Sequence, residues 1–151
     1  MATTISVAAL TVTITEAITL NGSDMGATNT LSVPAVAEIS QRIVSVDASN
    51  VRTLFEFSTV VGSGTYVKAN VAYLRITNLD NEYSISLNLE SSASNFWLVL
   101  AKGQSFMLSK AAGTLEADDD TTIAAPTLQD LVKISGHAAQ AIDLDCYIAL
   151  T

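Results

Sequence analysis

The chain has 151 residues and a mass of 15.8 kDa, with 49% apolar and 15% charged residues; 7 basic against 15 acidic side chains leave a formal charge of −8 and a pI near 4.3. The apolar content excludes a disordered chain, and the single cysteine, Cys146, excludes a disulfide scaffold. The basic residues are spread singly from Arg42 to Lys133, so no basic stripe is offered to nucleic acid or to an anionic membrane.

The length suits one domain, residues 1–151, whose compact form would expose about 7,300 Å². A surface of that size normally carries more charge, because about a quarter of the residues of an average soluble protein are charged. The deficit points to surface buried against other chains.

In chain order, residues 1–20 are apolar but lack a basic start, are interrupted by Thr11, Thr13 and Thr15, and run into Glu16. They read as a strand or arm engaged in subunit contacts, not as a signal peptide. Val12 and Ile14 alternate with the threonines, whereas Ile5 and Val7 lie in the opposite phase, so a bulge or a change of sheet is expected at Ala8-Ala9. Asn21-Gly22-Ser23-Asp24 supplies a turn. Leu31–Val33 is the next strand, and Val36-Ala37-Glu38-Ile39, following Pro34, is expected to form one short helical turn.

Strands are then expected at Arg42–Val46, Thr53–Val60 and Asn70–Asn78, divided by Asp47-Ala48-Ser49-Asn50 and Gly62-Ser63-Gly64. Tyr83, Ile85, Leu87 and Leu89 alternate with Ser84, Ser86 and Asn88. Asn95–Ala101 and Ser105–Ser109 flank a turn at Lys102-Gly103, and Leu128–Ser135 follows. In the last strand Ile142, Leu144, Cys146, Ile148 and Leu150 alternate with Asp143, Asp145, Tyr147 and Ala149. No apolar run reaches the ~18 residues that span a bilayer. Nine or ten short strands at even spacing predict an all-β protein, an antiparallel β-sandwich of jelly-roll type, with a closed barrel as the other architecture of this spacing.

Phe96-Trp97-Leu98-Val99-Leu100 is apolar on both faces, as in a central strand or in one covered by a neighbouring subunit. Trp97 is out of phase with Phe96, Leu98 and Leu100, so it is expected to face outward as an anchor for a protein contact.

Little in the sequence can do chemistry. His137 is the only histidine and has no nucleophile motif to serve. Cys146 falls at an apolar phase, as a buried thiol does, and one His with one Cys makes no zinc site. Asp118, Asp119 and Asp120 offer oxygen ligands for a cation, but their spacing matches no EF-hand and a solvated loop tip accounts for them. Asp143 and Asp145 share a strand face, where they either pair with an arginine of an adjacent strand or subunit or point at water. Gly62-Ser63-Gly64-Thr65 lacks the lysine of a phosphate-binding loop. No cofactor is expected, and no catalytic residue is identified.

Two stretches carry a resemblance. Tyr73-Leu74-Arg75-Ile76-Thr77-Asn78-Leu79-Asp80 reads as a strand entering an Asn-Leu-Asp turn, and residues 96–108 read as strand, glycine turn, strand ending in Gln104-Ser105-Phe106-Met107-Leu108. With Glu38–Val46 upstream, the pattern resembles small β-sandwich virion proteins of tailed bacteriophages over residues 38–109. The resemblance implies a structural part of a virion, made in the host bacterial cytoplasm. The leading expectation is a capsid decoration (cement) protein bound to the major capsid protein and to copies of itself, with a trimer as the first assembly considered. A tail, fibre or head–tail connector component and a carbohydrate-binding module are the alternatives. The contact residues expected are Trp97, Tyr66 and Tyr147, with the N-terminal segment of Ile5, Val7, Val12 and Ile14 adding to a neighbour's sheet edge.

Overall fold

A computed structural model describes residues 5–92, 95–109 and 131–151. The chain opens with a long antiparallel hairpin in which β1 (Ala8–Glu16) pairs with β4 (Ala27–Val36). Its tip is closed by the two-residue strands β2 (Thr19–Leu20) and β3 (Ser23–Asp24). Asn21 and Gly22 between them have φ of 51° and 81°, the paired positive values of a type I′ turn, whose twist matches that of the strands it joins.

At the base of the hairpin the register runs from Leu10↔Val33 to Ala8↔Val36, so Pro34 and Ala35 oppose the single residue Ala9. This is the bulge expected at Ala8-Ala9. Pro34 has no N–H to give a ladder and Ala35 takes a φ of 58°, which together kink the strand without ending it. The expected helical turn at Val36–Ile39 therefore does not form. Val36 closes β4, Glu38 opens the next strand, and Ala37 between them donates its N–H to the Leu150 carbonyl at 2.8 Å.

The remaining strands are β5 (Glu38–Val46), β6 (Val51–Ser58), β7 (Tyr66–Val67), β8 (Val71–Asn78), β9 (Ile85–Ser91), β10 (Asn95–Leu100), β11 (Ser105–Ser109), β12 (Leu131–His137) and β13 (Ile142–Leu150). A 3₁₀ turn at Lys68–Asn70 joins β7 to β8. They form an antiparallel β-sandwich with sheet orders β11-β8-β13-β5 and β10-β9-β12-β6-β7, in which only the short β6–β7 contact is parallel. The pairings are nested: β9 with β10, β8 with β11, β6 with β12 and β5 with β13. The strand expected at Leu128–Ser135 is described from Leu131 onward; residues 128–130, like Asp118, Asp119 and Asp120, lie outside the described residues.

The period-two pattern of β13 sets the core. Leu144, Cys146 and Ile148 are fully buried, and they meet Leu54, Phe55, Leu87 and Ile134 of the facing sheet. Each such side chain contributes roughly 1.5–3 kcal/mol on leaving water. Gly136 of β12 faces a crowded part of the core: a Cβ there would lie 3.0 Å from Ile85 Cδ1 of the same sheet and 3.5 Å from Val46 Cγ2 of the facing one.

One buried polar residue ties the two sheets together at a corner. Asn78, fully buried at the end of β8, donates from Nδ2 to the carbonyls of Tyr83 (3.0 Å) and Leu100 (3.2 Å), while its Oδ1 accepts the Asp80 N–H at 3.0 Å. Its backbone N–H donates to the Gln104 carbonyl, and its carbonyl accepts from Gly103 N–H. Gly103 has a φ of 69°, as the third position of the Ala101–Gln104 turn requires for a type II geometry. Asp80 Oδ1 accepts the N–H groups of Glu82 and Tyr83, both at 2.7 Å, and these donors hold its carboxyl below the usual aspartate value. The Asn-Leu-Asp turn and the glycine turn are thus one hydrogen-bonded corner that passes the chain between layers.

Candidate assembly surface

The hairpin has two unlike faces. Leu10↔Val33 and Val12↔Leu31 stack apolar pairs on one side, and Thr11↔Ser32, Thr13↔Thr30 and Thr15↔Thr28 line the other with hydroxyls. The apolar side docks on the outer face of the β11-β8-β13-β5 sheet. There Val33 and Val36, with Leu10, Val12 and Leu31, pack on Ala72, Tyr73, Tyr147 and Ala149 as a second, smaller core. An isolated hairpin is marginal in water, and this cluster is what fixes the arm to the body.

Beyond that anchor the arm leaves the sandwich. Every residue from Thr13 to Thr30 is exposed, including Ile14, Ile18, Leu20 and Met25. Between the arm and the sheet lies an open groove of about 300 Å³, with Val12, Ile14 and Leu31 on one wall and Tyr73, Met107 and Leu108 on the other.

The rest of that sheet face carries a paired polar cluster beside the exposed Ile39 and Ile43 of β5. Arg75 Nη2 donates to Asp145 Oδ2 at 2.6 Å, Gln41 Nε2 donates to Asp145 Oδ1 at 3.1 Å, and Ser45 Oγ donates to Asp143 Oδ1. Of the two aspartates, Asp145 takes the arginine partner, Arg75 of the adjacent strand, and Asp143 takes Ser45 instead. Its guanidinium carbon lies 5.7 Å from the Tyr147 ring centre, and Tyr147 meets Tyr73 edge-on at 6.0 Å. Tyr147 thus packs against its own chain beside the arm.

The second apolar surface is β10. Phe96-Trp97-Leu98-Val99-Leu100 is not a central strand: β10 ends its sheet and, among the described residues, pairs only with β9. Leu98 and Leu100 turn toward the core, whereas Phe96, Trp97 and Val99 are 52%, 54% and 66% exposed.

Of the other residues expected at contacts, Ile5 and Val7 precede β1 and are exposed, Val12 is half-buried in the arm cluster, and Ile14 projects from it. Tyr66 faces inward. Its ring packs edge-on to Phe55 at 5.8 Å and its hydroxyl donates to Ser40 Oγ at 3.1 Å, so little of it is left for a partner. Exposed Ile18, Leu20, Met25 and Met107 were not among the expected contact residues. The alternation at Thr19–Leu20 is too short to register as a strand, so the reach of the arm is set by tertiary structure.

Cys146 is fully buried, and burial pushes its thiol up to about 12. His137 is exposed at the end of β12. Among the described residues no group of three or more His, Cys, Asp or Glu side chains is placed to hold a metal ion. Comparison with protein-family models, characterised proteins and solved structures finds no match to the chain.

Proposed function

We propose that this protein is a structural component of a bacteriophage virion, a capsid decoration protein that grips neighbouring capsomers and copies of itself from outside the shell. The observation that carries the reading is the projecting arm: a hairpin anchored by one apolar end whose other end holds Ile14, Ile18, Leu20 and Met25 in water. Isolated apolar residues on a surface are ordinary. Four on one arm, in a chain with 15% charged residues, favour a partner that covers them.

The nested strand pairing supports reading the sandwich as a jelly roll, a fold used by capsid and lectin domains alike. The work proposed is mechanical. Pressure from within must separate every contact a bridging protein makes before a shell can open, a standard contact buries ~1,600 Å², and symmetric copies multiply the effect. The formal charge of −8 suits a position away from packaged DNA.

The test is co-sedimentation with matching undecorated capsids. The proposal expects saturable binding that is lost in the Ile18→Asp, Leu20→Asp double variant, whose substitutions fall on exposed positions and leave the sandwich folded. Absence of binding by the unaltered chain contradicts it. The exposed Trp97 ring favours one other reading, stacking on a sugar. Quenching or enhancement of its fluorescence by host polysaccharide would support that alternative.

A further inference from the structure

Four strands end the two sheets, and three of them carry a feature that discourages pairing with another chain. β7 is only two residues long. β5 bears Glu38 and Arg42, and the Arg42 guanidinium reaches across to donate to the Leu54 carbonyl. β11 runs beside the arm, which shares a groove with its Met107 and Leu108. Among the described residues β10 has no such protection. Its six residues keep unbroken register with β9 from Asn95↔Glu90 to Leu100↔Ile85, without charge, proline or bulge, and three of its large apolar side chains face water.

We infer that β10 pairs antiparallel with β10 of a second copy of this chain, joining two sheets into one across a two-fold axis. Charge selects the edge at which a second copy can pair. A chain with a formal charge of −8 repels its own copy over most of its surface. A two-fold contact also sets each segment against itself, so any charge on it meets the same charge nearby. Among the described residues, Asn95–Leu100 is the one edge of sandwich length that has no ionisable group and is not overhung by the arm.

Side-chain facing fixes the register. A two-fold axis perpendicular to the sheet keeps the outer face of one copy continuous with that of the other, so Trp97 must oppose an outward residue. Centring the pair on Leu98 sets Trp97 against the partner's Val99 and Phe96 against the partner's Leu100, so every large apolar side chain of the strand meets another, and Asn95 falls opposite the partner's Ala101, a small residue beyond the strand end. Centring it on Trp97 would set Asn95 against the partner's Val99. This interface is independent of the virion reading, since it concerns only two copies of the chain.

Light scattering on the eluting full-length protein tests it, with two outward double variants, Trp97→Lys with Val99→Lys and Trp97→Glu with Val99→Glu. The unaltered chain is expected to show twice its 15.8 kDa mass. Each variant alone is expected at the single-chain mass with an unchanged circular dichroism spectrum, and an equal mixture of the two is expected to return to the doubled mass. An unaltered chain at the single-chain mass overturns the inference. So does association that persists in both variants, which would assign it to the arm, or a mixture of folded variants that stays monomeric. Capsid binding by a monomeric chain would overturn the β10 pair while leaving the decoration role standing.

Discussion

Asn78 is the residue whose loss the fold should feel most for its size. It satisfies three groups from two loops inside the protein, and an unsatisfied buried polar group costs about 1–3 kcal/mol. Asn78→Ala should therefore lower unfolding free energy by roughly 3 kcal/mol in a urea titration, because it strands more than one partner. Asp80, beside it, predicts a pH dependence. Its carboxyl is held below the usual value of 3.8 by two backbone donors. A group depressed in the folded state adds stability that is complete above the unfolded value and fades as pH falls through the folded one. The stability gap between wild type and Asp80→Asn should be constant near neutrality and close in acid below that usual value, as read from thermal midpoints across pH. Cys146, with its thiol pushed up to about 12, should resist a thiol reagent in the native protein and react once denaturant is added. Its burial was legible from strand phase alone. The corner at Asn78 was not: the sequence offered turn residues, and only the topology brings Tyr83 and Leu100 to its side chain and Gln104 to its backbone.

At the scale of elements, the strands followed from alternation wherever one face is buried, as in Ile142–Leu150. The pattern failed at the edges. Phe96–Leu100 read equally as a central strand or as one covered by a neighbouring subunit because both phases are apolar, and among the described residues it ends its sheet; periodicity records which residues are apolar and is silent about what covers them. Pro34 misled for a related reason. A proline beside a short apolar run permits either a helix start or a bulge, and the pairing of β4 with β1 selected the bulge. The arm also makes a direct prediction. Val33 is buried in the cluster that docks it, so Val33→Asp should release the hairpin. Limited proteolysis should then cut within residues 8–36, whereas the wild-type arm is held at its base. The sandwich, whose core residues lie elsewhere, should still unfold cooperatively.

For the whole molecule, low charge and exposed apolar area point the same way. The chain is long enough to bury a full core and does so, yet it sends an arm outward and, among the described residues, leaves an uncharged edge strand open. Neither feature serves a lone protein in water. The central claim is that these surfaces exist to be covered by other chains. The most direct measurement is sedimentation equilibrium of the unaltered protein over a wide concentration range at physiological salt. The account predicts an average mass that rises with concentration toward multiples of 15.8 kDa. A mass fixed at the single-chain value at every concentration would contradict it.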